Sequence, residues 1–334
     1  MSQDGRCKIY FLGSGPIAIP ILESLRVASG VELVGIGTQE KPSKTVNGHV
    51  RGSYTAVMLH CGKHGIEIER YATVNTEQFR EHLRQLGVEM LVVASFGQIL
   101  KKELLELPRL GCLNIHASLL PKYRGASPVV ASLLHGDKET GISFMQMEAG
   151  LDTGPVYRSY SLPILPTDVS DTLEQRLGAL AGEKAEQVIC EIAAGGLTPV
   201  RQDEACACYC GKICKDDGLA CWEKSAEELA NMVRAYLPWP SVRAYIPARN
   251  GSFKMIKITD VVALESREEQ ARPGEILSAG REGIVVACGS GALKIVRLIP
   301  EGKKEMGAVD YLRGNPLPGE HLFMGMPPGE NRVQ

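Results

Sequence analysis

An amide and an imidazole, Asn114 and His116, stand two residues apart in the stretch Gly111-Cys-Leu-Asn-Ile-His-Ala-Ser-Leu-Leu-Pro-Lys-Tyr-Arg-Gly-Ala-Ser-Pro128. The apolar residues around Asn114 predict a short strand over 112–115, and side chains two apart on a strand share a face. Pro121 and Gly125 then exclude a regular helix or central strand, so the chain enters a constrained loop. A carboxylate, Asp152, lies in a second turn, Gly150-Leu-Asp-Thr-Gly154, behind another apolar run. An amide donor and an imidazole can stabilise charge developing on an oxygen, and a nearby carboxylate can fix the ring and accept protons. No Ser or Cys occupies a nucleophile elbow. Direct attack by a substrate nucleophile is therefore expected rather than a covalent enzyme intermediate.

The elements that must position these groups alternate. Strands are predicted at 7–12, 31–36, 66–68, 90–94, 111–115, 141–147 and 156–162. Helices are predicted at 16–27, with Pro16 at the first position, and at 53–63, 76–86, 101–106, 128–135 and 170–195. This pattern specifies an α/β fold with a doubly wound, mostly parallel, Rossmann-like sheet, whose ligands bind beyond the carboxyl ends of the strands. The polar segment Thr38–Ser53 reads as a long functional loop. After residue 205 the character changes: a helix near 225–236 precedes short strands at 242–246, 253–264, 273–278, 283–288 and 292–299. A second helix is predicted near 305–312. Such a run suggests a small barrel. The predicted domains are 1–205 and 206–334.

Composition narrows the class. The chain has 334 residues, 44% hydrophobic and 23% charged, ample for two cores. A net charge of −2 argues against a wholly basic nucleic-acid binder, though not against a local basic patch. No apolar run is long enough for a membrane helix, and the first residues lack the apolar core of a signal peptide. Ten cysteines without an export signal are expected to be mostly free thiols in the cytoplasm.

Two further motifs invite cofactor readings. Gly13-Ser-Gly-Pro-Ile-Ala18 fits a dinucleotide fingerprint, but the second strand ends in Gly37-Thr38-Gln39 where an acidic ribose ligand is required. A tight strand-to-helix turn is the better reading, and no nicotinamide cofactor is expected. Cys206, Cys208, Cys210 and Cys214 depart from the paired spacing of zinc ligands, so no metal is expected.

Asn114-Ile-His116-Ala-Ser118-Leu-Leu-Pro121-x-x-Arg124-Gly125, together with Leu151-Asp152-Thr153-Gly154, resembles the signature of the 10-formyltetrahydrofolate-dependent formyltransferases. Pro238-Trp239-Pro240 and Leu298-Ile-Pro-Glu-Gly-Lys303-Lys304-x-Met306 resemble the C-terminal domain of the branch that acts on methionyl-tRNA. The resemblance spans nearly the whole chain. It implies that Asn114, His116 and Asp152 are catalytic, with Asp152 holding His116. It also implies that Ser118, Leu119, Leu120 and Pro121 line the folate site. The C-terminal domain would be an oligonucleotide-binding-like (OB-like) barrel, and the 38–53 loop would engage the acceptor arm of the initiator tRNA. Lys41, Lys44, Arg51, Lys303 and Lys304 are the candidate tRNA contacts. The family loop carries a Gly-Arg-Gly-Lys-like run where this chain has Val46-Asn-Gly-His-Val-Arg-Gly52, so Arg51 is the residue able to supply the missing charge. Expected partners are methionyl initiator tRNA and folate, with no membrane contact and a monomeric state. A sugar-nucleotide or glycinamide-ribotide formyltransferase is disfavoured by the C-terminal domain. A silent RNA-binding relative is disfavoured by the complete Asn/His/Asp set.

Overall fold

The computed structural model describes residues 6–46, 49–247, 253–265, 271–317 and 323; of 41–46, 49–53 and 247 the backbone alone is described. In chain order the first elements are β1 (Cys7–Gly13), α1 (Ala18–Val27), β2 (Val31–Gln39), β3 (Lys41–Val46), β4 (His49–Ser53), α2 (Ala56–His64), β5 (Glu69–Tyr71), α3 (Glu77–Leu86) and β6 (Met90–Ala94). Then follow α4 (Lys102–Leu105), β7 (Cys112–His116), β8 (Arg124–Gly125), α5 (Pro128–Leu134), β9 (Glu139–Gln146), β10 (Val156–Pro163), α6 (Ser170–Ala193) and β11 (Tyr209–Cys210). The remainder comprises α7 (Ala226–Ala235), β12 (Val242–Pro247), β13 (Phe253–Leu264), β14 (Ile276–Gly280), β15 (Gly283–Ala287), β16 (Ala292–Pro300), β17 (Met306–Gly307) and α8 (Ala308–Gly314).

Among the described residues, seven strands form one sheet in the order β10-β9-β7-β6-β1-β2-β5. The five strands from β7 to β5 pair in parallel. β9 instead pairs antiparallel with both β7 and β10, a departure from the uniform alternation that the sequence predicts. β1 and β6 are buried on both faces, Ile9 to Leu12 and Met90 to Ala94 being almost wholly inaccessible. That is the near-continuous apolar reading expected of a parallel sheet with helices on both sides.

Local chemistry explains most boundaries. Thr55 and Thr76 accept from the backbone N–H groups of Met58 and Phe79, capping α2 and α3. Gly65 and Gly87 end those helices in the left-handed conformation. α1 starts two residues after the predicted Pro16, and the proline inside its first turn is Pro20, where a missing N–H costs nothing. The predicted long loop over 38–53 is largely an antiparallel strand pair, β3 with β4, with Lys44 opposite Arg51.

The chain clusters into two compact units, one of 1–128, 139–164 and 172–211, the other of 129–138, 165–171 and 212–334. Residues 206–211 thus fall with the first unit, where β11 pairs with β8. In the second unit the described strands form an antiparallel sheet, β12-β13-β16-β15-β14, with β17 on β16. Ile256, Ile258, Ile284, Val286, Leu293, Ile295 and Leu298 supply its buried face. The sequence predicts a barrel; among the described residues β12 and β14 remain the two edges of the sheet.

Ile9 sits in the centre of the first core with no accessible surface. Ile9→Ala should lower stability by about 2–5 kcal/mol, since a buried side chain leaves a cavity that close-packed strands cannot fill. Urea unfolding followed by far-UV circular dichroism measures this; a loss below about 1 kcal/mol would contradict the packing described.

Candidate active site

Parallel pairing sets Val93 of β6 opposite Asn114, and antiparallel pairing sets Ser143 of β9 opposite His116. Asn114 and His116 therefore leave the same face at the carboxyl end of β7, with Ile115 buried on the other. Asp152 arrives from the turn between β9 and β10. Its φ of +52° lies in the left-handed region, which a non-glycine residue keeps only when its surroundings hold it there. Gly154 follows because a Cβ at that position would lie 1.8 Å from the carbonyl oxygen of Gln146.

The three side chains meet. Asn114 Nδ2 donates to Asp152 Oδ1 over 3.3 Å, and the backbone N–H of Gly125 donates to Asp152 Oδ2 over 2.8 Å. His116 Nδ1 stands 3.7 Å from that same Oδ2, beyond hydrogen-bond distance. The other ring nitrogen, Nε2, lies 2.9 Å from the carbonyl oxygen of Tyr123. A carbonyl only accepts, so Nε2 carries a proton, and in the neutral form of the ring Nδ1 is then bare toward the carboxylate. The family resemblance implies that Asp152 holds His116; the structure sets that carboxylate beside Nδ1 and gives the ring its hydrogen bond through the Tyr123 carbonyl.

Tyr123 is itself buried, at φ +56°. Its N–H donates to Cys208 Sγ over 3.2 Å, and its carbonyl also accepts from Cys210 Sγ at 3.5 Å. Burial pushes the Cys210 thiol up, so at neutral pH it remains a donor. Two cysteines of the unusual cluster, Cys208 just before β11 and Cys210 within it, thus bond the N–H and the carbonyl of one residue. Cys206 and Cys214 are exposed. Among the described residues, no group of three or more His, Cys, Asp or Glu is arranged to hold a metal ion.

Arg124 is wholly buried. Its guanidinium donates to both Glu204 oxygens at 2.7 and 2.9 Å, to Tyr209 Oη at 3.0 Å and, through Nε, to Gln202 Oε1 at 3.0 Å. A planar fork of donors suits such a fixed position, with four hydrogen bonds to three side chains. The Arg124 backbone N–H donates to Cys208 O over 2.9 Å. Gly125 at φ +118° leaves no room for a side chain against Cys210 O.

Of the four residues predicted to line the folate site, Ser118 is buried and its hydroxyl donates to Lys122 O over 2.6 Å. Leu119, Leu120 and Pro121 are half-buried. Ser143 Oγ donates to Ser118 O over 2.8 Å and accepts from Leu120 N–H over 3.0 Å, fixing this loop against β9. Lys41, Lys44 and Arg51 belong to the β3–β4 pair, and their side chains lie outside the described residues. Lys303 and Lys304 are exposed on the turn after β16. Tyr123, Ser143, Gln202 and Glu204 were not singled out in the sequence. The last two lie roughly fifty residues from Asp152, where no local spacing signals contact.

Comparison with known proteins defines the class. Residues 8–189 match the formyl transferase family model, and residues 212–316 match that of the formyl transferase C-terminal domain. The chain belongs to the formyltransferase family. It is similar to the methionyl-tRNA formyltransferase of Geobacter metallireducens, with 38% identity over 94% of this chain and 98% of that one. It is also similar to that of Citrifermentans bemidjiense, with 39% identity over 93% of this chain and 94% of the other. Among solved structures, the N-formyltransferase of Helicobacter canadensis, in complex with folinic acid and dTDP-3-aminofucose, shares the fold. The TM-score is 0.59 at 17% identity, over 86% of this chain and 99% of that one.

Hydrogen bonds from the Arg124 guanidinium hold the Glu204 carboxyl below its usual range. A depressed carboxylate pKa gives stability that is complete above the unfolded value, about 4.3, and lost as pH falls through the folded value. Wild type should therefore exceed Glu204→Gln in urea midpoint by a constant margin from about pH 7 to 5, with the margin closing below about 4. A margin independent of pH would mean that the pair contributes through packing alone.

Proposed function

We infer that this chain transfers the formyl group of 10-formyltetrahydrofolate to the α-amino group of methionyl initiator tRNA, giving formylmethionyl-tRNA and tetrahydrofolate for translation initiation. The observation that carries this reading is the meeting of Asn114, His116 and Asp152 at the carboxyl end of β7. Likeness to methionyl-tRNA formyltransferases over nearly the full length supports the choice of acceptor.

The residues fit a folate. Leu119, Leu120 and Pro121 offer partly accessible apolar surface immediately after His116, and Ile99, 79% exposed, adds a further apolar side chain in the loop after β6. Asn114 supplies an N–H donor for the formyl oxygen as it gains negative charge, and the backbone pins that amide at the strand end. The amine must lose a proton as it attacks. His116 Nδ1 is bare in the neutral ring and faces Asp152, so one proton entering between them is shared by two acceptors 3.7 Å apart. The imidazolium so formed donates toward the carboxylate on one side and Tyr123 O on the other. Collapse of the tetrahedral adduct breaks the bond from the formyl carbon to N10, the shared proton passes to N10 so that tetrahydrofolate leaves as the amine, and no covalent enzyme intermediate is needed.

The β3–β4 pair and the turn bearing Lys303 and Lys304 are the surfaces we assign to the tRNA, with Lys41, Lys44 and Arg51 on the first. We assign catalysis to the N-terminal domain and tRNA contact chiefly to the C-terminal one. A monomer in the cytoplasm is the working form; the free cysteines agree with a reducing compartment.

Formyl transfer from 10-formyltetrahydrofolate should be measured with methionyl initiator tRNA and, separately, with a sugar-nucleotide amine as acceptor. The tRNA should be formylated and the sugar left unchanged; the reverse preference would overturn the reading. Alanine at Asn114, His116 or Asp152 should slow the reaction by about 10² or more in a folded protein, and normal turnover would remove that residue from the mechanism. The double variant Lys44→Ala with Arg51→Ala should raise KM for the tRNA about tenfold, flatten the salt dependence and spare KM for the folate. An unchanged salt slope would place the phosphate contacts elsewhere.

A further inference from the structure

The segment 190–211 lies between the two matched family regions, 8–189 and 212–316, yet it supplies a side chain to the turn that carries Asp152. Gln202 Nε2 lies 2.8 Å from the carbonyl oxygen of Asp152 and 2.7 Å from that of Gly154. Both of its amide hydrogens are thereby used. Gln202 Oε1 accepts from Arg124 Nε at 3.0 Å. A guanidinium can only donate and a carbonyl can only accept, so this amide has one permitted orientation. Turning it over would set oxygen against two carbonyls and N–H against N–H.

Arg124 cannot drift to accommodate such a change. It is buried and its remaining donors go to Glu204 and Tyr209. Its own backbone flanks Gly125, the residue whose N–H holds Asp152 Oδ2. Gln202 is thus a wedge between the loop after β7 and the turn after β9, hydrogen-bonded to both. The turn it holds contains the one non-glycine residue at positive φ among the catalytic trio. A left-handed residue persists only while its neighbours over-determine it, and two donors on turn carbonyls two residues apart supply that determination.

We propose that Gln202 is a positioning residue for formyl transfer: through the carbonyls of Asp152 and Gly154 it aims the Asp152 carboxylate at Asn114 Nδ2 and His116 Nδ1. The proposal rests on the reading that Asp152 takes part in the reaction. It predicts a loss in kcat rather than in substrate binding. Among the described residues, the hydrogen bonds of Gln202 go to Arg124, Met145, Asp152 and Gly154 and to none assigned to folate or tRNA, whereas a displacement of order 1 Å at a reacting group costs about 10²-fold.

Two variants test it. Gln202→Met keeps the length and removes every polar atom; Gln202→Glu keeps the acceptor for Arg124 and replaces both donors by oxygen. Each is measured for kcat and for KM of both substrates, alone and combined with Asp152→Ala, with thermal unfolding as the folding control. We expect either variant to lower kcat about 10²-fold with both KM values within threefold. In the Asp152→Ala background the same change should cost less than threefold more, because the carboxylate it aims is already gone. Wild-type kcat in the folded variants would overturn the proposal. So would a full further 10²-fold loss in the Asp152→Ala background, which would place the action of Gln202 elsewhere. Should Gln202→Met fail to fold, Gln202→Glu decides by the same criteria. Normal turnover by Asp152→Ala alone would instead remove the underlying reading, and the proposal with it.

Discussion

A neutral imidazole has one N–H, and the carbonyl of Tyr123 takes it. That single hydrogen bond, 2.9 Å long, fixes the tautomer of the neutral ring and so which nitrogen of His116 faces Asp152. With Nε2 occupied, Nδ1 meets Asp152 as acceptor to acceptor. The pair is one proton short of a good interaction, a suitable state for a site that must take a proton from an attacking amine. Were Asp152 already hydrogen-bonded to the ring, that proton would have nowhere favourable to go. The choice of partner for one ring nitrogen therefore sets what the other can do.

The rest of the first unit keeps that carbonyl and that carboxylate in place. Parallel strands buried on both faces bring β7 to a fixed end, and Asn114 and His116 emerge there together. Tyr123 is held by two cysteine sulfurs, Arg124 by an acid, a phenol and an amide, and Asp152 by a backbone N–H and the Asn114 amide. A buried polar network is costly when half-satisfied and specifies one arrangement when complete. Here the donors and acceptors around Arg124 and Gln202 are matched, and the strand β11 carries much of the load. Of the clustered cysteines, Cys208 accepts from and Cys210 donates to the backbone of the catalytic loop.

The sequence made the β-α alternation legible, because apolar runs bounded by Gly and capping Thr residues leave few alternatives. Met90–Ala94 and Phe253–Leu264 were read with their ends in place. The meeting of Asn114, His116 and Asp152 was legible through the period-two spacing and through family likeness. Three features were not. The sequence predicts a loop over 38–53, where the structure pairs β3 with β4. The antiparallel turn of β9 and β10 depends on where the chain re-enters the sheet, which periodicity does not encode. The partners of Tyr123 and Arg124 come from 202–210, some eighty residues downstream, and contacts at that separation leave no local trace. Spacing brought the right groups together and left the direction of each hydrogen bond open.

The measurement that bears most directly on this account is the tautomer of His116. ¹⁵N-detected NMR of the histidine rings, recorded in alkaline buffer and assigned with His116→Gln, distinguishes a protonated Nε2 from a protonated Nδ1. The account predicts that the neutral ring of His116 is protonated at Nε2, with Nδ1 showing the shift of a bare, pyridine-like nitrogen. A ring protonated at Nδ1 and hydrogen-bonded to Asp152 would contradict it, because no site-facing acceptor would then remain on His116.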